Sequence, residues 1–303
     1  MVKNVGHSKI KYSSGDRVYS IINGAVLMAV ALITLYPIWF VVIASVSDPD
    51  MVGMGKVFLW PKGFTLNYYK YVLSYKDVLI GYRNSFFYMI VGTLLNVLVT
   101  AMTAFAISSK HLYGKKVIVW LMLFTMFFTG GLIPTYLILK SFNLLNQWYT
   151  LLFVGLISVY NVIVARTYFQ GSIPESMLEA AQIDGSGDIR TLFRIVIPVS
   201  MPMLAVIALY YASSHWNRYF VAMIYVRDRE MLPLQVFLRE ILILDQTANM
   251  METDDVQAMK ELSDLARSIQ YALIVVSSLP LILIYPFVQR FFVGGVMIGS
   301  VKG

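Results

Sequence analysis

Cysteine is absent from this sequence, so neither a disulfide framework nor a thiolate-ligated zinc or iron–sulfur site can be built from it. Charge is scarce too: Asp, Glu, Lys and Arg make up 14% of residues, where a soluble domain carries about a quarter. Histidine occurs only at His7, His111 and His215, far apart and without a second ligand at helical spacing, so no metal site is expected. The GxxxxGKS phosphate loop, the HExxH zinc motif and the GxSxG nucleophile elbow are all missing. Internal repeats and low-complexity tracts are missing as well, and the chain reads as one domain over 1–303.

What is present is apolar surface. Hydrophobic residues make up 58% of the chain and its mean hydropathy is +0.68, values of a membrane protein. The net charge of +7 is spread along the chain, which fits anionic lipid headgroups better than nucleic acid. A membrane-spanning helix needs roughly 20 apolar residues. Six windows qualify: Ile21–Ile43, Ser85–Ile107, Val117–Leu139, Leu151–Phe169, Val199–Val226 and Ile269–Phe292. The first is too long for a signal-peptide core, and Pro37, Trp39 and Phe40 stand where a cleavage site would need small residues, so it is expected to stay as a helix.

Six spans place both termini on one side. Lys and Arg divide evenly between the two sides, but the short Ser108–Lys116 turn carries Lys110, Lys115 and Lys116, and the N-terminal arm (1–20) is basic. Charges in short loops dominate orientation, so both termini are expected to be cytoplasmic. That leaves two long outer segments, Ser47–Asn84 and Arg227–Ser268, and a polar inner segment from Gln170 to Arg194.

The inner segment has its own local signals. Ser172 and Glu175 have capping-box spacing, with Pro174 in the first turn, and predict a helix start. Met177, Leu178, Ala181 and Ile183 supply an apolar side, and Gly185 suits a left-handed terminus. About ten residues make a rod of roughly 15 Å, too short to span a bilayer, so it must lie on the surface or dock into a partner.

The spacing within it is specific. Glu179, Ala180 and Ala181, then Gly185 (preceded by Asp184), then Ile195, Val196, Ile197 and Pro198 resemble the EAA-x3-G-x9-I-x-L-P motif of permease subunits in bacterial ABC importers, with Ile197 where Leu is usual. In that family this element is the coupling helix, which fits a cleft on the ATPase subunit and passes its closure to the membrane helices. The resemblance covers roughly residues 60–303 and is to the maltose-type, sugar-importing branch. Pro61, Gly63, Phe64, Thr65, Asn67 and Tyr68 resemble the P-x-G-F-T-x-x-N-Y stretch before the second helix, one residue shorter here. Asn84–Ser85 resembles the opening of that helix, and Ala104–Ser108 with Gly114–Lys116 its far end. Ile133, Pro134 and Tyr136 resemble the third helix, Leu144–Asn146 the turn after it with Asn143 where Gly is common, and Trp216–Asn217 the fifth helix. The ending at Gly294, Gly295 and Gly299–Gly303 resembles a glycine-rich tail.

The resemblance implies an all-α membrane protein, with six transmembrane helices in the type I ABC importer permease fold and a cytoplasmic coupling segment at 171–194. It implies a subunit that catalyses no covalent chemistry and binds no cofactor. A second EAA permease completes the pore, and two ATPase subunits bind ATP and Mg2+. An extracytoplasmic solute-binding protein delivers oligosaccharide across the bacterial inner membrane. The tail at 293–303, with Gly299, Ser300, Val301, Lys302 and Gly303, is expected between the ATPases. The outer loop at 227–268 is expected to extend a scoop, with Met250, Met251, Glu252 and Met259, into the binding protein.

Arg166 and Arg218 are charges inside spans, where insertion costs roughly 2.5–3.5 kcal/mol. Arg166 lies near a span end and is expected to snorkel. Tyr211, His215 and Arg218 fall at spacings of four and three and are expected to present one face to the pore beside Trp216 and Asn217, with Arg218 able to clamp a carboxylate. The competing assignment for Arg218 is an interfacial or partner-paired cation. The sequence around Tyr225–Glu230 and Leu232–Gln235 resembles the branch importing plant or algal polysaccharide fragments, which implies uronates such as alginate or pectin oligomers. Neutral oligosaccharides or another small solute remain alternatives. An intramembrane enzyme is a further one, for which Ser213, Ser214 and His215 are the nearest approach to a catalytic group.

Overall fold

The computed structural model describes residues 14–248 and 269–284, together with 286 and 289. Every described regular element is helical. Among the described residues, two helices are long and apolar enough to cross a membrane unbroken: α1 (Ser14–Ser45) and α4 (Lys76–Ser108). Between them, α2 (Pro49–Gly53) is capped by Asp48, whose Oδ1 accepts from Asp50 N at 3.0 Å and Met51 N at 3.4 Å, and α3 (Asn67–Ser74) leads into α4. The Pro61–Tyr68 stretch folds back on the end of α1. Asp48 N donates to Lys62 O, Thr65 N donates to Val46 O, and Ser47 Oγ accepts from Lys62 N. Gly63 has φ +65° there, and a Cβ would lie 2.7 Å from Asp48 Cβ, so this turn requires glycine.

Three expected spans are interrupted, each where the local sequence stops a helix. The third window splits into α5 (Lys115–Phe127) and α6 (Leu132–Ser141), bent by 114° at Gly130–Gly131. The fourth holds α7 (Thr150–Phe153), a break at Gly155, and α8 (Val159–Ser172), capped by Ser158. After α9 (Glu175–Ile183), a rod of α10 (Asp188–Thr191), a π-turn (Leu192–Val196) and α11 (Ile197–Val199) meets α12 (Met201–Trp216) at 88°. A second break at Asn217–Arg218 separates α12 from α13 (Tyr219–Tyr225). The fold continues in a 3-10 turn (Arg229–Met231), α14 (Leu234–Ala248) and α15 (Ile269–Ile284). The described residues of the segments at 47–84 and 227–268 are therefore largely helical, and α4 begins at Lys76, ahead of its apolar window.

Helix α4 is the axis against which α12, α8 and α14 pack. Its C-terminal half joins α8 and α12 in a core of Ala101, Ala104, Val162, Ala165, Leu192 and Ile207. Its N-terminal half is clamped to the turn before α14. Asn84 Nδ2 donates to Glu230 O at 2.7 Å and Leu232 O at 3.0 Å, Tyr88 Oη donates to Met231 O at 2.9 Å, and Ser85 Oγ accepts from Leu234 N at 2.9 Å. The Asn84–Ser85 pair thus satisfies backbone groups that no helix can serve. Arg229 ties the same turn down, bonding Asp77 at 2.7 Å and Glu240 at 2.9 Å and lying 5.0 Å from the centre of the Phe237 ring. The hydrogen bond to Asp77, then that to Glu240, raises its pKa above the ordinary value against the opposing effect of burial.

Replacing Asn84 by Leu leaves the buried Leu232 carbonyl without its donor, whereas the exposed Glu230 carbonyl keeps Arg83, and is expected to cost about 1–3 kcal/mol. Proteolysis of the detergent-solubilised protein should then move to the 228–234 turn, and an unchanged digestion pattern would refute the clamp.

Candidate functional site

The segment at 171–194 meets the α4–α5 turn at one end of the fold. Lys110 bonds Glu175 at the start of α9, and Gln170 Nε2 donates to Ser108 O at 3.4 Å. The capping box does not form: Ser172 is the last residue of α8, α9 starts after Pro174 without a side-chain cap, and Glu175 is drawn instead to Lys110. The C-terminal end of α9 behaves as its sequence predicts. Asp184 is the last cap, Gly185 takes φ +74°, and Ser186 N donates to Ala181 O at 2.9 Å.

The expected single apolar side of α9 is in fact divided. Leu178 packs against the core and Ala181 is buried, whereas Glu179, Ala180, Met177 and Ile183 face outward. Ile183 is 86% exposed, and Ile189 beyond the turn is 71% exposed. Ala181 therefore seats the helix on its own chain, and Ala180 with Ile183 forms the outward ridge. Within the rest of the motif, Ile195 is half-buried and Pro198 exposed.

The second assembly lies at the break between α7 and α8. Tyr211 Oη and Thr100 Oγ1 share a hydrogen bond at 2.8 Å, and Tyr211 Oη accepts from Ser158 N at 3.1 Å. One turn along α12, His215 Nε2 lies 3.3 Å from Asn96 Oδ1, and Asn96 Nδ2 donates to Gly155 O at 3.2 Å. These two rungs hold the interrupted backbone of residues 154–158 against α4 and α12. Tyr211 and His215 are buried and brace the chain's interior, and Tyr211 also borders the cleft described below. Gly92 makes the second rung possible, because a Cβ there would lie 2.4 Å from the His215 ring.

Arg218 lies past the end of α12, not on its face. Its Nη1 donates to Leu151 O and Val154 O, both at 2.7 Å, closing the exposed end of α7. Trp216 is buried, bonds Ser277 O at 2.9 Å and packs on Phe86 and Tyr82, while exposed Asn217 bonds Ser213 O. Between α8 and α12 a cleft of about 510 Å³ opens beside the break, with Ser158, Tyr160, Asn161, Tyr210, Ser214 and Arg218 in its walls. Arg166 is half-buried, and its Nε lacks a partner among the described residues.

A sequence profile of the binding-protein-dependent transport system inner membrane component family matches residues 78–297. The chain belongs to that family. As a permease it is 35% identical to the polygalacturonan/rhamnogalacturonan transport system permease protein YtcP of Bacillus subtilis, over 95% of this chain and 99% of that one. It is 36% identical to protein LplC of the same organism, over 96% and 97%. A crystal structure of a bacterial ABC transporter involved in the import of the acidic polysaccharide alginate superposes with a TM-score of 0.83 at 33% identity, over 94% of the permease and all of that chain. The fold is thus that of a type I ABC importer permease, a multi-pass inner-membrane transport component and not an enzyme. Such a permease works with a partner permease, an ATPase and a substrate-binding protein.

Of the residues expected at sites, Met250, Met251, Glu252, Met259 and the tail from Gly299 to Gly303 lie outside the described residues. Sequence reasoning missed Asn96, Gly155, Ser158, Tyr160, Asn161 and Tyr210. Gly155 followed by Ser158 and Asn161 is a glycine stop and a new N-cap within an apolar run, and that signal could have located the break.

Proposed function

We propose that this permease forms half of a heterodimeric pore importing acidic oligosaccharides, with alginate- or pectin-derived uronates the leading class. A second EAA permease forms the other half. Of two identical ATPase subunits holding ATP and Mg2+, one receives the outward face of α9 with Glu179, Ala180, Asp184 and Gly185, while Ala181 seats that helix on its own chain, and an extracytoplasmic binding protein supplies the sugar. Both termini lie in the cytoplasm.

The observation that carries this reading is the outward ridge of α9, an apolar surface with no role inside the chain and adjoining the basic Lys110–Lys116 turn. That adjacency supports the orientation, since the ridge and the basic loop mark the same membrane side. The acidic substrate class is supported by the named substrates of the pectin-type and alginate relatives.

Tagging the chain, solubilising native membranes gently and analysing what co-purifies by mass spectrometry tests the assembly. A second permease, an ATPase and a solute-binding protein are expected. Recovery of the chain alone after in-membrane crosslinking would overturn the reading. Proteoliposomes of the purified complex should accumulate trigalacturonate, and uptake of neutral trisaccharides only would replace the acidic substrate with a neutral one.

A further inference from the structure

The cleft beside the α7–α8 break combines features that lipid-facing surface does not tolerate. It holds a guanidinium, an amide and two serine hydroxyls on segments whose sequence windows are apolar enough to span a membrane, where polar groups belong in a water-filled cavity or a protein interior. Irregular backbone in a spanning segment is likewise confined to cavities, and broken helices commonly frame transporter sites. The volume, about 510 Å³, falls within the roughly 300–1,000 Å³ of small-molecule sites.

The groups in its walls have distinct functions. Nη1 of Arg218 is committed to the carbonyls of Leu151 and Val154, but Nη2 takes no hydrogen bond among the described residues. A Cβ at Gly155 would rest in ordinary van der Waals contact with Nη2, at 3.5 Å, so the bare glycine leaves that side of the nitrogen uncovered. The two Nη1 bonds fix the guanidinium plane in advance, which lowers the ordering cost of recruiting a carboxylate. Tyr160 and Tyr210 are 57% and 53% exposed and frame the cleft with aromatic faces, while Asn161 and Ser214 add hydrogen-bonding groups between them.

We propose that this cleft is a binding site for one or two rings of an acidic sugar chain. Tyr160 and Tyr210 stack on the rings, and Arg218 Nη2 takes the carboxylate. The proposal rests on the acidic-oligosaccharide reading above, and it assigns substrate contact to this subunit itself.

The test uses the assembled transporter, with its binding protein, in proteoliposomes. Benzoylphenylalanine replaces Tyr210, and radiolabelled trigalacturonate is photolysed in place. Label is expected on this chain, displaced by unlabelled trigalacturonate and not by a neutral galactose trimer. Arg218→Lys keeps a cation for the α7 carbonyls but cannot serve them and the cleft together. It should raise the KM for uronate uptake roughly tenfold, the effect of one charge-assisted hydrogen bond, with kcat little changed. Uronate transport with label confined to the partner permease would overturn the site and leave the function standing. A KM raised equally for neutral and acidic sugars would overturn the carboxylate contact. A transporter that carries no uronate would overturn both the substrate class and this site.

Discussion

Replacing Ile183 by Asp is expected to abolish coupled import while leaving the permease folded and inserted. The side chain is 86% exposed at the end of α9, so the substitution removes little internal packing. On the proposed ATPase cleft the same change carries a carboxylate into an apolar groove, where an uncompensated charge is strongly disfavoured. Uptake by proteoliposomes should fall by roughly a hundredfold, as at an interface hot spot, and the ATPase should be lost from co-purification. Gly185→Ala separates docking from backbone geometry. It keeps the ridge and meets open space, but places a side chain at φ +74°, a conformational cost of about 1–2 kcal/mol. Its uptake defect should be partial. Wild-type transport by the Ile183→Asp variant would show that the ridge does not dock.

The second large effect is expected at Gly92. A methyl group there meets His215 at 2.4 Å, and the ring is 1% exposed with its Nε2 held toward Asn96, so it has nowhere to retreat. Gly92→Ala must therefore push α4 and α12 apart, an overpacking cost of about 1–3 kcal/mol or more. It also breaks the rung that fixes Gly155. The thermal midpoint of the purified complex should drop by several degrees. Combining it with His215→Ala gives the decisive comparison, because the new methyl then enters the space the imidazole vacated. The double variant should be more stable than the sum of the single effects, and strict additivity would exclude the contact.

How much of this was legible in the sequence depended on the range of the interaction. The windows of α1 and α4 stand out because twenty apolar residues in line have few alternatives. Gly185 was legible as a left-handed terminus and Asn143 as a residue standing where the family resemblance has Gly, and both take positive φ, at 74° and 54°. Asn146, with φ 58°, is explained only by tertiary contacts, since its side chain accepts from Arg227 N and Asp228 N. The breaks at Gly130–Gly131 and Gly155 were averaged away, because a twenty-residue hydropathy window is insensitive to one or two glycines. The Ser172–Glu175 box failed for the opposite reason: a lysine 65 positions away in sequence competes for the same carboxylate. Spacing put Tyr211 and His215 on one face of α12, but which way the face turns was set by Thr100 and Asn96 on another helix.

Helix α4 has a mechanical consequence. At 33 residues it is roughly 50 Å long, and it is gripped near both ends: by the Ala104 and Ile107 packing close to the Lys110–Glu175 bridge, and by Asn84 and Ser85 on the 228–234 turn. A rod held in this way acts as a lever. A tilt of about ten degrees pivoting at the Ala104–Ile107 end carries the other end through roughly 9 Å. The turn at residues 228–234 is fastened to that moving end and travels with it, so a small rocking at the end that carries the Lys110–Glu175 bridge becomes a much larger displacement at the other.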